Sequence, residues 1–159
     1  MRNSIRALVA ALALSLILPA AASAYWPVAN RYSYVSQGYK TTHRGYDLAS
    51  YYGTRVVPVK SGRIAYAGYR SSCAGRTIYI NHGSGLYSVY YHLSAEYVYK
   101  GQWVTGQTTT IGRVGTSGCT TGPHLHVEIW RGYPWSSGAY RVNPWPYIDS
   151  GTYLPYRYR

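Results

Sequence analysis

The chain holds five histidines and four acidic residues, and three of those histidines and one aspartate fall into two short motifs. The first motif is His43-Arg44-Gly45-Tyr46-Asp47 and the second is His124-Leu125-His126. Imidazole nitrogen and carboxylate oxygen are donors that zinc accepts, and a hydrolytic zinc needs three protein ligands with a fourth position open to water. His43, Asp47 and one histidine of the His-Leu-His run make up such a set. The other histidine of that run is then available as a base.

The local geometry these motifs need is that of strands. Side chains along a strand alternate faces, so His124, His126 and Glu128 share one face while Leu125, Val127 and Ile129 share the other, which must be the core. His43 and Asp47, four apart, share a face if the segment is extended, or one turn if it is helical. Gly45 between them permits a bend or a close backbone approach. In Tyr90-Tyr91-His92-Leu93-Ser94, Tyr91 and Leu93 alternate with His92, which places His92 away from the apolar side of its strand. His82, in Asn81-His82-Gly83, reads as a turn residue with a structural part.

The rest of the chain supports that frame. Residues 55–59, 62–69, 76–81, 86–93, 103–104 and 125–130 are short apolar or alternating runs, separated by glycine-bearing turns such as 69–75 and 82–85. Such spacing predicts an antiparallel all-β domain, a β-sandwich or an open barrel, and no stretch keeps a helical period for three turns. Pro58 predicts an edge position for its strand. Twenty-one tyrosines and five tryptophans, with no phenylalanine, suit half-buried strands and carbohydrate-facing grooves, and their spread along the chain makes most of them structural.

Residues 1–24 read as a secretory signal peptide. Two arginines precede an apolar run over 7–20, and Ala22-Ser23-Ala24 is a cleavage site of the A-x-A kind. Ser15 and Pro19 break the run, which is short of the roughly 20 residues of a spanning helix, so no transmembrane span is expected after cleavage. Residues 25–159 make one domain. Loss of Arg2 and Arg6 takes the formal charge from +12 to +10. The basic residues are scattered singly, which argues for general attraction to anionic wall polymers and against sequence readout of a nucleic acid. Cys73 and Cys119 form the one possible intrachain disulfide in an exported chain. Two free thiols acting as metal ligands are the alternative, since Cys119 lies close to His124 in sequence.

The order His-x-Gly-x-Asp, Tyr-x-His-Leu-Ser, Thr-Gly-Pro-His-Leu-His-Val-Glu resembles the lysostaphin/LytM-type zinc endopeptidases. The surrounding segments agree, among them Lys100-Gly101-Gln102-Trp103-Val104, Ile111-Gly112-Arg113-Val114-Gly115 and Val142-Asn143-Pro144. The similarity runs from about Gln37 to Ile148. It implies an antiparallel β domain of the duplicated hybrid-motif type that cuts peptide bonds in bacterial peptidoglycan outside the cell. The resemblance further implies one zinc held by His43, Asp47 and His126, with His124 as general base and His92 as a second catalytic histidine. Glu128 is then expected behind a ligand, orienting a histidine through its other ring nitrogen, with direct ligation as the rival. The family's Gly-Arg-x-x-Pro element is replaced here by Gln37-Gly38-Tyr39-Lys40, and Tyr39 and Tyr34 are the candidates for a tyrosine assisting at the oxyanion. An inactive wall-binding or amidase-activating module on the same fold is the alternative function.

Overall fold

A computed structural model describes residues 25–148, so the expected signal segment 1–24 and residues 149–159 of the expected domain lie outside the described residues. The elements are β1 (Tyr34–Gln37), β2 (Tyr46–Ala49), β3 (Arg55–Val56), β4 (Gly62–Tyr69), β5 (Arg76–Asn81), β6 (Leu86–Glu96), β7 (Trp103–Val104), β8 (Gly112–Val114), β9 (His124–Arg131), β10 (Tyr140–Val142) and the single-turn helix α1 (Trp145–Ile148). Every pairing among them is antiparallel. The sheet runs β1-β2-β9-β6-β5-β4-β7 without closing, β10 extends β9, and β8 joins β3 to β6. An antiparallel, unclosed all-β domain is what the alternating runs predict.

The runs rich in Val, Ile, Thr and Tyr became strands within a few residues of their expected limits. The expected strand 55–59 is an exception and stops at Val56. Pro58 has no N–H to give a ladder, and the Val57 N–H turns instead to the Pro27 carbonyl at 2.9 Å. Pro58 therefore lies outside any strand, not on an edge one. β1, β2, β8 and β10 match no alternating run, because segments of three or four residues are made strands by their partners and not by a visible period.

One face of the sheet packs on an aliphatic core that includes Leu48, Ile64, Ile78, Ile80, Leu93, Leu125, Val127 and Ile129. The opposite face carries an aromatic cluster of Tyr79, Tyr91 and Trp130 with Val89. That second face is where the polar motifs emerge. Two register lines cross it. Gln37, Asp47, His126 and Tyr91 lie opposite one another on β1, β2, β9 and β6, and Tyr34, Ala49 and His124 do so on β1, β2 and β9. Directly paired residues of antiparallel strands project from the same side, so the two motifs meet through pairing of β2 with β9.

Candidate active site

His43, Asp47 and His126 place one ligand atom each within 4.8 Å of one another. Asp47 Oδ1 is the hub: it lies 3.1 Å from His43 Nε2, 2.6 Å from His126 Nδ1 and 3.8 Å from His124 Nε2. Gly45 is needed for this approach. A Cβ there would sit 2.6 Å from the His126 ring, too close for any side chain. The glycine of the first motif thus serves close packing of β2 onto β9, one of the two purposes its position suggests.

Backbone carbonyls set the histidine tautomers. His43 Nδ1 meets the Gly38 carbonyl at 3.1 Å, His92 Nδ1 meets Ser117 at 2.9 Å, and His124 Nδ1 meets Gly122 at 2.9 Å. A carbonyl only accepts, so each Nδ1 carries a proton and each ring turns its Nε2 toward the cleft. His126 is held the other way round. Its Nδ1 faces Asp47 while Glu128 Oε1 lies 3.4 Å from its Nε2. Glu128 therefore stands behind His126, at the nitrogen turned from Asp47.

Glu128 is the centre of a buried network. Its Oε2 accepts from Tyr91 Oη at 2.9 Å and from Trp130 Nε1 at 2.7 Å. Arg141 Nε lies 2.9 Å from Oε1, an ion-pair contact without hydrogen-bond alignment. The Arg141 guanidinium lies against both Trp130 and Trp135, 4.5 and 4.2 Å from the ring centroids. Burial alone would raise the Glu128 carboxyl, but the His126 hydrogen bond and charge, with Arg141, outweigh it and hold it below the ordinary range. Asp47 is depressed in the same way, its desolvation overcome by His126 first and then by the charges of His124 and His43.

Burial likewise opposes a charged His126, yet the hydrogen bonds and charges of Asp47 and Glu128 lift its pKa to about 9. A carboxylate at each ring nitrogen makes this a place that favours a positive charge. Two imidazoles and a carboxylate around such a place are a donor set that fits zinc with one position open.

His92 reaches the cleft by a route the alternation of its strand does not give. Tyr91 pairs with His126 and faces the site, so regular alternation would send His92 to the core. Between Tyr90 and Leu93 the register with β5 slips by one residue, and His92 takes φ 62°, in the left-handed region. This bulge turns His92 to the same side as Tyr91. The sequence reading placed the two residues on opposite sides, and the bulge corrects it. Burial, reinforced by the neighbouring His124 and His126, pushes the His92 pKa down to about 4, so the ring is neutral with Nε2 as an acceptor.

A cleft of about 690 Å³ holds all of these groups. Its lining includes His43, Asp47, His92, His124, His126 and Glu128, together with Tyr91, Trp135 and Arg141. Neither Tyr39 nor Tyr34 lines it, and the tyrosine that does, Tyr91, commits its hydroxyl proton to Glu128. Tyr91, Trp135 and Arg141 escaped sequence reasoning. Their only local signal is residue type, and their roles come from pairing across strands.

Cys73 and Cys119 are joined in a disulfide on the cleft wall, which removes them as thiolate ligands. The bridge ties the β4–β5 turn to the loop before β9. Cys119 N donates to the Cys73 carbonyl at 3.0 Å, and Arg76 N donates to Ser117 Oγ at 2.9 Å. That loop supplies both carbonyls, Ser117 and Gly122, that orient His92 and His124. His82 lies apart, as its turn position suggests. It bridges the Ser61 carbonyl and Ser88 Oγ at 3.0 and 2.8 Å.

The sequence signature of Peptidase family M23 matches residues 41–144. The peptidoglycan DD-endopeptidase ShyA of Vibrio cholerae is 42% identical over 94 residues, covering 58% of this chain and 21% of that protein. Among solved structures, the antimicrobial peptidase lysostaphin from Staphylococcus simulans superposes with TM-score 0.69 at 30% identity, over 84% of this chain and 56% of that one. A zinc-containing peptidase from Vibrio cholerae gives TM-score 0.63 at 30% identity, over 69% and 36%. The chain spans about a fifth of the length of the curated relatives it matches.

Proposed function

This chain belongs to peptidase family M23, and from that premise we propose that it is an exported zinc endopeptidase cutting peptide bonds in the stems or crossbridges of bacterial peptidoglycan. The observation that carries the reading is the convergence of His43 Nε2, Asp47 Oδ1 and His126 Nδ1 in one cleft with two further histidines, His92 and His124. His43, Asp47 and His126 would hold one zinc. Bound there, the metal would lower the pKa of a water to about 7 and polarise the scissile carbonyl.

The chain's own residues then do the proton work. His124, its Nδ1 proton tied to the Gly122 carbonyl, presents Nε2 to accept the water's proton and to return it to the leaving amine. His92 likewise has its Nδ1 on a backbone carbonyl, and burial keeps it neutral with Nε2 as an acceptor, which suits assistance to the base. To hold an oxyanion it would first have to take up a proton. Glu128 keeps the His126 proton on Nε2 and so leaves Nδ1 free to bind metal.

Export is supported by the disulfide, which persists in oxidising compartments. No helix among the described residues is long and apolar enough to cross a membrane. Attraction to anionic wall polymers is supported by the charge balance: Arg76 pairs with Glu96 and Arg141 with Glu128, and the other described lysines and arginines have no acidic partner.

The test is metal content of the purified protein together with release of new amines from purified peptidoglycan, with and without a chelator. About one zinc per chain and chelator-sensitive release are expected, both lost in Asp47→Ala. Zinc retention without amine release would assign the fold to a binding or activating module. Release that persists in the stripped protein would refute the metal reading.

A further inference from the structure

A second, smaller cleft of about 280 Å³ opens beside the first, lined by Asn30, Tyr32, Tyr34, Ala49, Ser50, Tyr51 and Pro123. Its tyrosines are well exposed: Tyr51 is 70%, Tyr32 59% and Tyr34 38% accessible. The Arg31 guanidinium covers one side of the Tyr32 ring, 4.7 Å from its centroid, and donates to its hydroxyl, while folding gains little from leaving so much of Tyr51 in water. Between them Asn30 Nδ2 donates to Ser50 Oγ at 3.3 Å, and Ser50 Oγ in turn reaches Thr54 Oγ1 at 3.1 Å, so the cleft holds an amide and hydroxyls.

The position is as telling as the lining. Ala49 stands two residues after Asp47 on β2 and so projects from the same face of the sheet. Ala49 pairs with His124 on one side and with Tyr34 on the other. With strands about 4.8 Å apart, the Tyr34 backbone lies only about 10 Å from that of His124 along one continuous surface. Pro123, at the edge of the small cleft, is the residue before His124.

We propose that this cleft is a saccharide subsite, which binds an N-acetylated hexosamine ring of the glycan strand whose attached peptide occupies the main cleft. Three lines of chemistry favour a sugar. Aromatic rings with a polar end stack on the C–H face of a pyranose while their hydroxyls bond its oxygens. Among the described residues no lysine, arginine, aspartate or glutamate lines the cleft, and the Arg31 guanidinium beside it is engaged with Tyr32, so the lining suits a neutral polyhydroxylated ligand better than a peptide stem with its free carboxylates and amines. Its volume lies at the small end of ligand sites, enough for one ring and not for a long chain. The assignment builds on the wall-hydrolase reading of the adjacent site, but fails separately from it.

The test uses the zinc-loaded protein and a β-1,4-linked N-acetylglucosamine tetramer, followed by NMR shifts of the tyrosine side chains. Saturable shifts at Tyr32, Tyr34 and Tyr51 are expected, with affinity at least tenfold weaker in the Tyr32→Ala/Tyr51→Ala variant. Both side chains are exposed, so the variant keeps its core. It should turn over a sugar-free crossbridge peptide as the parent does while losing activity on intact wall. Absence of saturable binding, or equal binding by the variant, overturns the assignment. So does a response of these tyrosines to the sugar-free peptide and not to the tetramer, which would give the cleft to the peptide. Sugar binding is read without catalysis. A protein that binds the tetramer and cleaves nothing refutes the hydrolase and leaves the subsite standing.

Discussion

Replacing Glu128 with glutamine keeps the side chain's shape and removes one charge, and the geometry says why that small change should weaken zinc binding. Four donors converge on the carboxylate: Tyr91 Oη and Trp130 Nε1 on one oxygen, His126 Nε2 and Arg141 Nε on the other. A carboxylate accepts from the first three and balances the charge of Arg141, whereas an amide has one oxygen and one NH₂ and no charge. If the amide oxygen stays with Tyr91 and Trp130, its NH₂ confronts Arg141 and donates to His126 Nε2. The ring proton then moves to Nδ1, the nitrogen that faces Asp47 and that a metal requires. If the amide turns over, the NH₂ meets the Trp130 N–H, a donor against a donor.

Either orientation sets the amide NH₂ against a cation or a donor that the carboxylate accommodated, at about 1–3 kcal/mol of stability. Loss of the group behind a ligating histidine typically costs about 10–100-fold in metal affinity. The assay is competition of parent and variant for zinc against a chromophoric chelator, with thermal melts of the metal-free proteins alongside. Affinity lower by about 10–100-fold is expected, with a melt lowered by several degrees. A lowered melt with unchanged zinc affinity would refute the reasoning, because Glu128 would then support packing and nothing at the metal.

Three further outcomes follow from the same coordinates. If His124 is the base proposed above, His124→Ala should retain zinc at parental affinity while kcat falls about 10²–10⁴-fold, because that role touches the reacting proton and not the metal; loss of zinc in that variant would move His124 into the ligand set. The Cys73→Ser/Cys119→Ser variant should lose up to about 4 kcal/mol by loop-closure entropy, read by denaturant unfolding. It should also lose kcat more than KM, because the freed loop carries the Ser117 and Gly122 carbonyls; full activity at unchanged kcat would contradict that role. His82 is partly buried, with its pKa pushed from 6.5 down to about 4 by desolvation first and then by the charge of Lys60. The unfolded chain takes up that proton below pH 6.5 and the native state does not until about pH 4. This contribution is therefore complete above pH 6.5 and is lost as pH falls to about 4, amounting to at most about 3 kcal/mol. Unfolding free energies of the parent minus His82→Gln across pH 4–7 should show that slope, and a flat difference would rule it out.

The elements that carry the site were unevenly visible in the chain. Strands β4 and β5 follow the alternation of 62–69 and 76–81, because long alternating runs reveal a half-buried strand by themselves. β2, which carries Asp47, is four residues long and offers no period to read. It is a strand because β1 and β9 flank it. Sequence motifs therefore pointed to the histidines and to Asp47 while leaving open whether the first motif was extended or turned.

What the sequence by itself determined is the stock of donors and their local facing. A His-Leu-His-Val-Glu run on a strand sends two imidazoles and a carboxylate to one side, and the intervening Leu125 and Val127 to the core, whatever lies next to it. The histidine-to-aspartate spacing across Gly45, the Cys73–Cys119 pairing and the excess of basic over acidic residues are equally local or compositional. Only the tertiary structure decided which nitrogen each histidine presents, because Gly38, Ser117 and Gly122 do this with backbone carbonyls that every residue possesses and no motif can mark. It alone turned His92 into the cleft, through a bulge that exists only in register with β5, against the alternation of its own strand. It also brought Tyr91 and Arg141 to Glu128, and Trp135 to both of them, from three separate stretches of chain. Periodicity is a property of neighbours in sequence, whereas register, bulges and carbonyl contacts belong to pairs of segments, so they appear only when those segments meet.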